Sequence, residues 1–322
     1  MSRGLAAVTG ATGFLGRHLV RALADDGWRL RILARRDVIH PLWRELAPEV
    51  VVGDLDHGPA LDRLCHGADL VVHAAGLTKA RDAAAFDAVN VAGVEQIATR
   101  TDGRMILVSS LAARDPGLSD YAASKRRGES AASRILGDRV TIVRPPALYG
   151  PGDPETLPLF QAAACSPVLP VLDPSARIAL MHVRDTAEQI AALARLPPGL
   201  RVTLSDARAE GYAWDEIMRT AAAGFGRKPR LLRIPDGFLT VLALASLATK
   251  GRGEAPMLSL GKLREMRHPD WSVSPAEQPI ALPASTFDLV SGFRDAIYGY
   301  ESDGVVFGKV KRLEKERTDI LG

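Results

Sequence analysis

The run Tyr121-Ala122-Ala123-Ser124-Lys125 places a phenol and an ammonium four residues apart. On a helix, that spacing puts both side chains on one face. An ammonium beside a phenol favours the phenolate and lowers the phenol pKa from about 10, making Tyr121 a usable general acid or base near neutral pH. The chemistry of such a pair is proton transfer at an oxygen. Ser110, which follows the apolar run Met105-Ile106-Leu107-Val108 and Ser109, offers a hydroxyl that could hold that oxygen. A Tyr–Lys pair of this spacing is common on surfaces, so its meaning rests on what surrounds it.

A second set of residues supplies that context. Gly10-Ala11-Thr12-Gly13-Phe14-Leu15-Gly16 carries three glycines between an expected strand and an expected helix. There, Gly10 would allow a tight turn, Gly13 would let the backbone approach a pyrophosphate, and Gly16 would let the helix pack close to the strand. The helix N-terminus would add free N–H groups and partial positive charge. The next strand would end Ile32-Leu33-Ala34, followed by Arg35-Arg36-Asp37. Ala34 stands where NAD-binding folds place an acid for the ribose 2′-hydroxyl. Guanidinium groups fork onto phosphate, so Arg35 and Arg36 point to NADP(H). Asp54, in Gly53-Asp54-Leu55, either meets the adenine amino group or caps the helix near Pro59.

Positioning these residues requires a regular frame. Leu5–Thr9, Leu30–Ala34, Val50–Gly53, Leu70–Ala74, Met105–Ser109 and Val140–Val143 read as buried strands. Helical patterns lie between most of them, at 14–26, 60–66, 83–100 and 119–136. Fully apolar strands alternating with helices imply an α/β, doubly wound parallel sheet, the Rossmann arrangement. The expected division is a dinucleotide-binding domain over 1–150, with 178–196 returning to it, and a smaller C-terminal substrate-binding lobe and tail within 151–322. The bend Arg144 to Pro154, dense in Pro and Gly, marks the exit. Further helices are expected over 185–195 and 214–223.

The bulk composition excludes several classes. A formal net charge of +3, with no long basic run and no aromatic interleaving, argues against nucleic acid as a partner. Cys65 and Cys165 form no CxxC pair and have no His cluster beside them, so neither a zinc site nor a disulfide framework is expected and a reducing compartment fits. No secretory signal is expected at the N-terminus, and the longest apolar run free of charge and proline, 237–249, is shorter than the ~20 residues of a membrane span. The expected setting is cytoplasmic, with peripheral contact to the inner membrane face left open.

Taken as a set, these motifs resemble an extended short-chain dehydrogenase/reductase of the NAD(P)-dependent epimerase/dehydratase superfamily. The resemblance rests on Thr9–Gly16, Gly53-Asp54-Leu55, His73–Gly76, Asn90-Val91 with Gly93, Val108–Ser110, Tyr121–Lys125 with Gly128-Glu129, Arg144-Pro145 with Leu148–Gly152, and Met181–Asp185. It runs from residue 1 to about 195. It implies that Tyr121 passes a proton to or from the substrate oxygen, that Lys125 holds the nicotinamide ribose, and that Ser110 orients the carbonyl or hydroxyl. Ala74, Ala75 and Gly76 would line the cofactor by backbone, and Pro145 would sit near the nicotinamide. His73 and His182 would be packed strand-end residues, and Asn90 would tie neighbouring strands. Family members often form homodimers.

Only eleven positions separate Ser110 from Tyr121. Sugar-nucleotide members carry a longer loop here, so the short loop implies a more open, less polar entrance. This resembles the branch of hydroxysteroid-type dehydrogenases, flavonoid-type reductases and the complex I accessory subunit. The apolar stretch 237–249 reads as a core helix, a roof for a greasy substrate, or a membrane-interface segment. The basic and aromatic stretch 262–271 reads as pocket lining or surface loop. The expected function is NADP(H)-dependent interconversion of a ketone and a secondary alcohol on a bulky, lipid-like small molecule. The alternatives are a sugar-nucleotide epimerase or dehydratase with tightly held NAD, disfavoured by Arg35-Arg36 and the short loop, and a non-catalytic NADPH-binding accessory protein, disfavoured by the intact Ser110–Tyr121–Lys125 set.

Overall fold

Short, fully buried apolar runs build the centre of the molecule. In the computed structural model, which describes residues 3–37, 40–235, 237, 240 and 259–307, strands β1 (Leu5–Thr9), β2 (Arg29–Ala34), β3 (Glu49–Val52), β4 (Leu70–His73), β5 (Arg104–Val108) and β6 (Val140–Arg144) pair in parallel. In space they run β3-β2-β1-β4-β5-β6. A seventh strand, Arg201–Thr203, adds in parallel to β6. The apolar-run reading missed it because it is three residues long and opens on an exposed Arg.

Helices cover both faces, as strands buried on both sides require. Helix α1 (Phe14–Asp25) packs on one face with the later helix Val183–Leu193, sharing a core of Val8, Leu19, Leu23, Ile32, Ile190 and Val202. The other face is covered by α2 (Gly58–Cys65), α4 (Gly93–Ala98) and α5 (Asp120–Leu136), through Leu61, Leu64, Ile97, Ala132 and Leu136. The expected helix 83–100 is interrupted: α3 (Ala83–Asp87) passes into a π turn, Ala88–Ala92, before α4.

After β6 the chain forms β7 (Ala147–Tyr149), α6 (Leu157–Cys165), β8 (Val168–Val171), β9 (Leu180–His182), α7 (Val183–Leu193), β10 (Arg201–Thr203), α8 (Trp214–Ala223), β11 (Arg230–Arg233), α9 (Leu260–Arg267) and α10 (Leu289–Ser302). β7 pairs with β9 and β8 with β11, each as a two-stranded parallel sheet. A separate core of Tyr149, Phe160, Ile217, Phe293, Ile297 and Tyr300 joins α6, α8 and α10.

Most of 262–271 is helical rather than a loop, because Ser259 caps α9 by accepting from Lys262 N at 3.0 Å. The short segment after Ser110 is not open either. Leu111 packs with Ala179, Val273 and Trp271, and Arg114 donates to the carbonyls of Asp270 and Ser272. The apolar stretch 237–249 lies, but for Gly237 and Thr240, outside the described residues. Among the described residues, no helix is long and apolar enough to cross a membrane.

Candidate active site

The order of strands reverses between β1 and β4, where a doubly wound sheet opens its ligand crevice at the strands' C-terminal ends. The glycine turn occupies that end of β1. Gly10 has φ +71°, and a Cβ there would lie 2.6 Å from Ala75 N and 2.7 Å from the Ala74 carbonyl carbon. Gly10 therefore provides both the left-handed turn and the close approach to the strip Ala74-Ala75-Gly76. Thr9 ties the two strand ends together: its hydroxyl lies 2.8 Å from His73 Nδ1 and accepts from Ala75 N at 3.3 Å.

The cradle fits a pyrophosphate. Helix α1 starts at Phe14 with no side chain capping it at Gly13, so its first N–H groups are left for a ligand. Ala11 is buried, Thr12 and Gly13 are exposed, and Phe14 and Leu15 are half-buried. A Cβ on Gly13 would meet only Gly10 O, at 3.2 Å, whereas one on Gly16 would overlap Gly10 O and Ala11. The two glycines therefore predict different phenotypes. Gly16→Ala should destabilise the fold by about 1–3 kcal/mol through overpacking. Gly13→Ala should leave the melting temperature unchanged and weaken dinucleotide binding. Thermal melts and a fluorescence titration separate the two, and equal melting losses would refute the assignment.

Around the turn, Ala34 is buried at the end of β2 while Arg35, Arg36 and Asp37 are exposed. Neither arginine takes part in an ion pair or hydrogen bond among the described residues. Asp54 accepts from Asp56 N at 3.1 Å and so bends its own turn. It does not cap α2, whose N-cap is His57. Leu55 packs where a side chain on Gly93 would stand, facing α4.

Helix α5 carries Tyr121 and Lys125 one turn apart, and Ser119 caps it by accepting from Ala122 N at 3.0 Å. Ser110 hydrogen-bonds the Tyr121 phenol, and its oxygen accepts from Ala112 N at 3.2 Å. Lys125 Nζ donates to Val108 O, at the end of β5, at 2.8 Å. A Cβ on Gly76 would lie 3.5 Å from that Nζ, so Lys125 reaches the edge of the cofactor strip. Pro145 is buried, and its carbonyl accepts from Leu111 N at 2.8 Å, anchoring the segment after Ser110. Ser110, Tyr121, Lys125 and the glycine cradle thus share one end of the sheet.

The electrostatics depart from one expectation. The Tyr121 pKa is pushed up to about 12, chiefly by burial, with the Ser110 hydrogen bond pulling it down and Glu265 pushing it up. Burial sets the direction here, and Lys125 is itself lowered to about 8 by burial, against the pull of Glu129. His73 is held to about 3 by burial and by Lys125, a neutral packed residue. His182 is buried, stacked on Phe287 at 3.9 Å. Asn90 does not tie strands. Its amide bonds both backbone groups of Leu77, at 2.8 and 3.0 Å, and donates to Ser124 Oγ at 3.0 Å, fastening the loop after β4 to α5.

Two supporting groups escaped the sequence reading. Glu129, on α5, accepts from Ser109 Oγ at 2.6 Å and from Arg144, at the end of β6, at 2.8 and 2.6 Å. The pair is buried beneath the site. Both residues lie in quoted motifs, but nothing local shows that they meet. Glu265, from α9, bonds Ser119; no sequence signal linked it to α5.

Comparison with known proteins agrees with this geometry. The model of the NAD dependent epimerase/dehydratase family matches residues 6–201. The chain is 52% identical over 307 residues to the ceramide reductase of Caulobacter vibrioides (strain NA1000 / CB15N), covering 94% of this chain and 96% of that protein. It is 32% identical over 174 residues to the 4-hydroxy-2-methyl-3-oxo-4-farnesyl-3,4-dihydroquinoline-1-oxide ketoreductase of Stigmatella aurantiaca, covering 47% of this chain and 52% of that one. The crystal structure of gox2253 superposes with a TM-score of 0.73 at 23% identity over 96% of this chain and 100% of that one, a likeness of fold. The chain belongs to the NAD-dependent epimerase/dehydratase family, as an extended short-chain oxidoreductase using a nicotinamide cofactor.

Proposed function

We propose that the protein is an NADPH-dependent reductase of a ketone on a bulky lipid of the ceramide type. The observation that carries this reading is the assembled Ser110–Tyr121–Lys125 set at the mouth of the glycine cradle, in a chain that is 52% identical, almost end to end, to a protein named ceramide reductase. A reduced nicotinamide would supply the hydride to the carbonyl carbon. Ser110 orients the carbonyl oxygen, and Tyr121 gives it a proton. Lys125, at the edge of the Gly76 strip, binds the ribose hydroxyls. Apolar groups that a lipid favours lie close by: Leu111 with Val273 and Trp271, and Phe86, whose ring centre is 5.9 Å from that of Tyr121.

The cofactor choice rests on Arg35 and Arg36, exposed and unpaired among the described residues beside a buried Ala34. A guanidinium–phosphate bond contributes about 1.5–3 kcal/mol. Replacing both arginines with Ala is therefore expected to weaken NADPH binding by about 10- to 100-fold and to leave NADH binding as it was, in a fluorescence titration. Equal losses for both nucleotides would overturn the assignment. The function itself is tested by NADPH oxidation at 340 nm with a ketone-bearing ceramide. Turnover supports it, whereas NAD(H) that copurifies and resists dialysis, with no ketone turned over, favours an epimerase.

A further inference from the structure

Helix α9 brings a carboxylate from the C-terminal part of the chain to the base of the catalytic helix. Glu265 is buried. One of its oxygens accepts from Ser119 Oγ, and that same Oγ accepts from Ala122 N at 3.0 Å, capping α5. The other oxygen lies 3.5 Å from Nζ of Lys262, whose side chain is mostly exposed. Two further contacts clamp α9 to the residues just before Tyr121. Arg264 Nε donates to Leu118 O at 2.6 Å, and a Cβ on Gly261 would lie 2.8 Å from Ser119 Cβ, so only a glycine lets the two segments come this close. From the other side, Trp271 Nε1 donates to Glu265 O at 2.9 Å and fixes the end of the helix.

Burying a carboxylate is costly. An amide of the same shape would accept the same Ser119 bond and fill the same space, so packing alone does not call for a charge here. A negative charge at the start of α5 is favoured by the helix dipole, and it also disfavours a second negative charge nearby. Ser119, which Glu265 holds, lies two residues before Tyr121 at the start of α5, so the Tyr121 phenol is the site group set near that charge, which raises its pKa.

We propose, resting on the reductase reading above, that Glu265 is a positioning residue for Tyr121: through Ser119 it holds the first turn of α5, and through its charge it keeps the Tyr121 oxygen protonated, ready to donate to a substrate carbonyl. The other charged or titratable groups around the phenol act weakly. Asp120 lies on the same helix, and Lys262 is mostly exposed. Arg114 and Asp115 pair with each other at 3.3 Å after Ser110. Glu129 is neutralised by Arg144, and His73, near Lys125, is neutral. In a reductive turnover the proton leaves the Tyr121 oxygen for the carbonyl oxygen as the cofactor's hydride reaches the carbonyl carbon, and solvent then reprotonates the phenolate.

The test compares wild type with Glu265→Gln in the full-length protein. The first readout needs no substrate. The Cζ resonance of Tyr121 in 13C-tyrosine-labelled protein, assigned by its loss in Tyr121→Phe, is expected to begin titrating about one pH unit lower in the variant. Circular dichroism verifies the fold through the titration. The second readout is the pH profile of NADPH-dependent ketone reduction, whose alkaline fall tied to Tyr121 should move the same way. Lys262→Arg, a surface change that keeps its charge at the alkaline pH where a lysine loses it, should move both the same way by roughly a few tenths of a unit, which keeps the idea testable if Glu265→Gln does not fold. A rate loss equal at every pH with an unmoved resonance would leave Glu265 as packing alone and overturn the proposal. A shifted resonance in a protein that reduces no ketone would overturn the reductase reading and leave the link from Glu265 to Tyr121 standing.

Discussion

Tyr121→Phe is expected to lower the rate of ketone reduction by about 100- to 10,000-fold, the usual contribution of a positioned acid, while the fold and NADPH affinity persist. The phenol hydroxyl hydrogen-bonds Ser110, and the ring meets Phe86 at 5.9 Å, so phenylalanine keeps the ring packing and removes the hydroxyl with its proton. NADPH oxidation at 340 nm reads the loss, and a titration of NADPH fluorescence checks that the cofactor still binds. A residual rate above a tenth of wild type would show that another group, or water, delivers the proton. The pH dependence follows from the same groups. In the proposed reaction the reduction would need Tyr121 as phenol, and burial holds it so up to about 12. Lys125, lowered to about 8, loses its charge first as pH rises. The rate should therefore begin to fall above about pH 8 through Lys125, and a second fall should follow at higher pH through Tyr121.

Glu129→Ala is expected to destabilise the protein by about 3–5 kcal/mol, the cost of leaving one member of a buried ion pair alone. Glu129 neutralises Arg144 through two bonds of 2.8 and 2.6 Å and also holds Ser109 at 2.6 Å. Its loss strands a guanidinium between α5 and the end of β6 and releases the residue next to Ser110. Urea unfolding followed by circular dichroism measures the loss. The paired change Glu129→Leu with Arg144→Met should recover part of it, because two apolar side chains carry no uncompensated charge. A loss below 1 kcal/mol for Glu129→Ala would mean that water reaches Arg144 and solvates it. Activity in the double variant would then show whether the pair also serves to place Ser110.

The sequence by itself determined the features that are written locally. A fully apolar strand, a glycine where the chain must turn, a helix whose apolar residues repeat every three or four positions, and a Tyr–Lys pair one turn apart are each set by neighbours within a few residues. That is why β1 to β6, α1, the cradle at Gly10, Gly13 and Gly16, and the Ser110–Tyr121–Lys125 set were all legible. Arg35 and Arg36 could be placed for the same reason, as the exposed residues that follow the end of β2. The tertiary structure alone decided which distant groups meet. Arg201–Thr203 is too short and too polar at its start to signal a strand, and it becomes one only because the edge of β6 is open to it. Asn90, inside the π turn, fastens the loop after β4 to α5 instead of joining strands. Glu129 meets Arg144 across a helix–sheet interface, and Glu265 meets Ser119 across 146 residues of chain. The ionisation of Tyr121 belongs with these: spacing to Lys125 argues for a lowered pKa, but burial, a property of the whole packed chain, raises it. Local propensity and pattern act over one turn or one pleat, whereas desolvation and long-range charge pairing exist only once the core has closed around them.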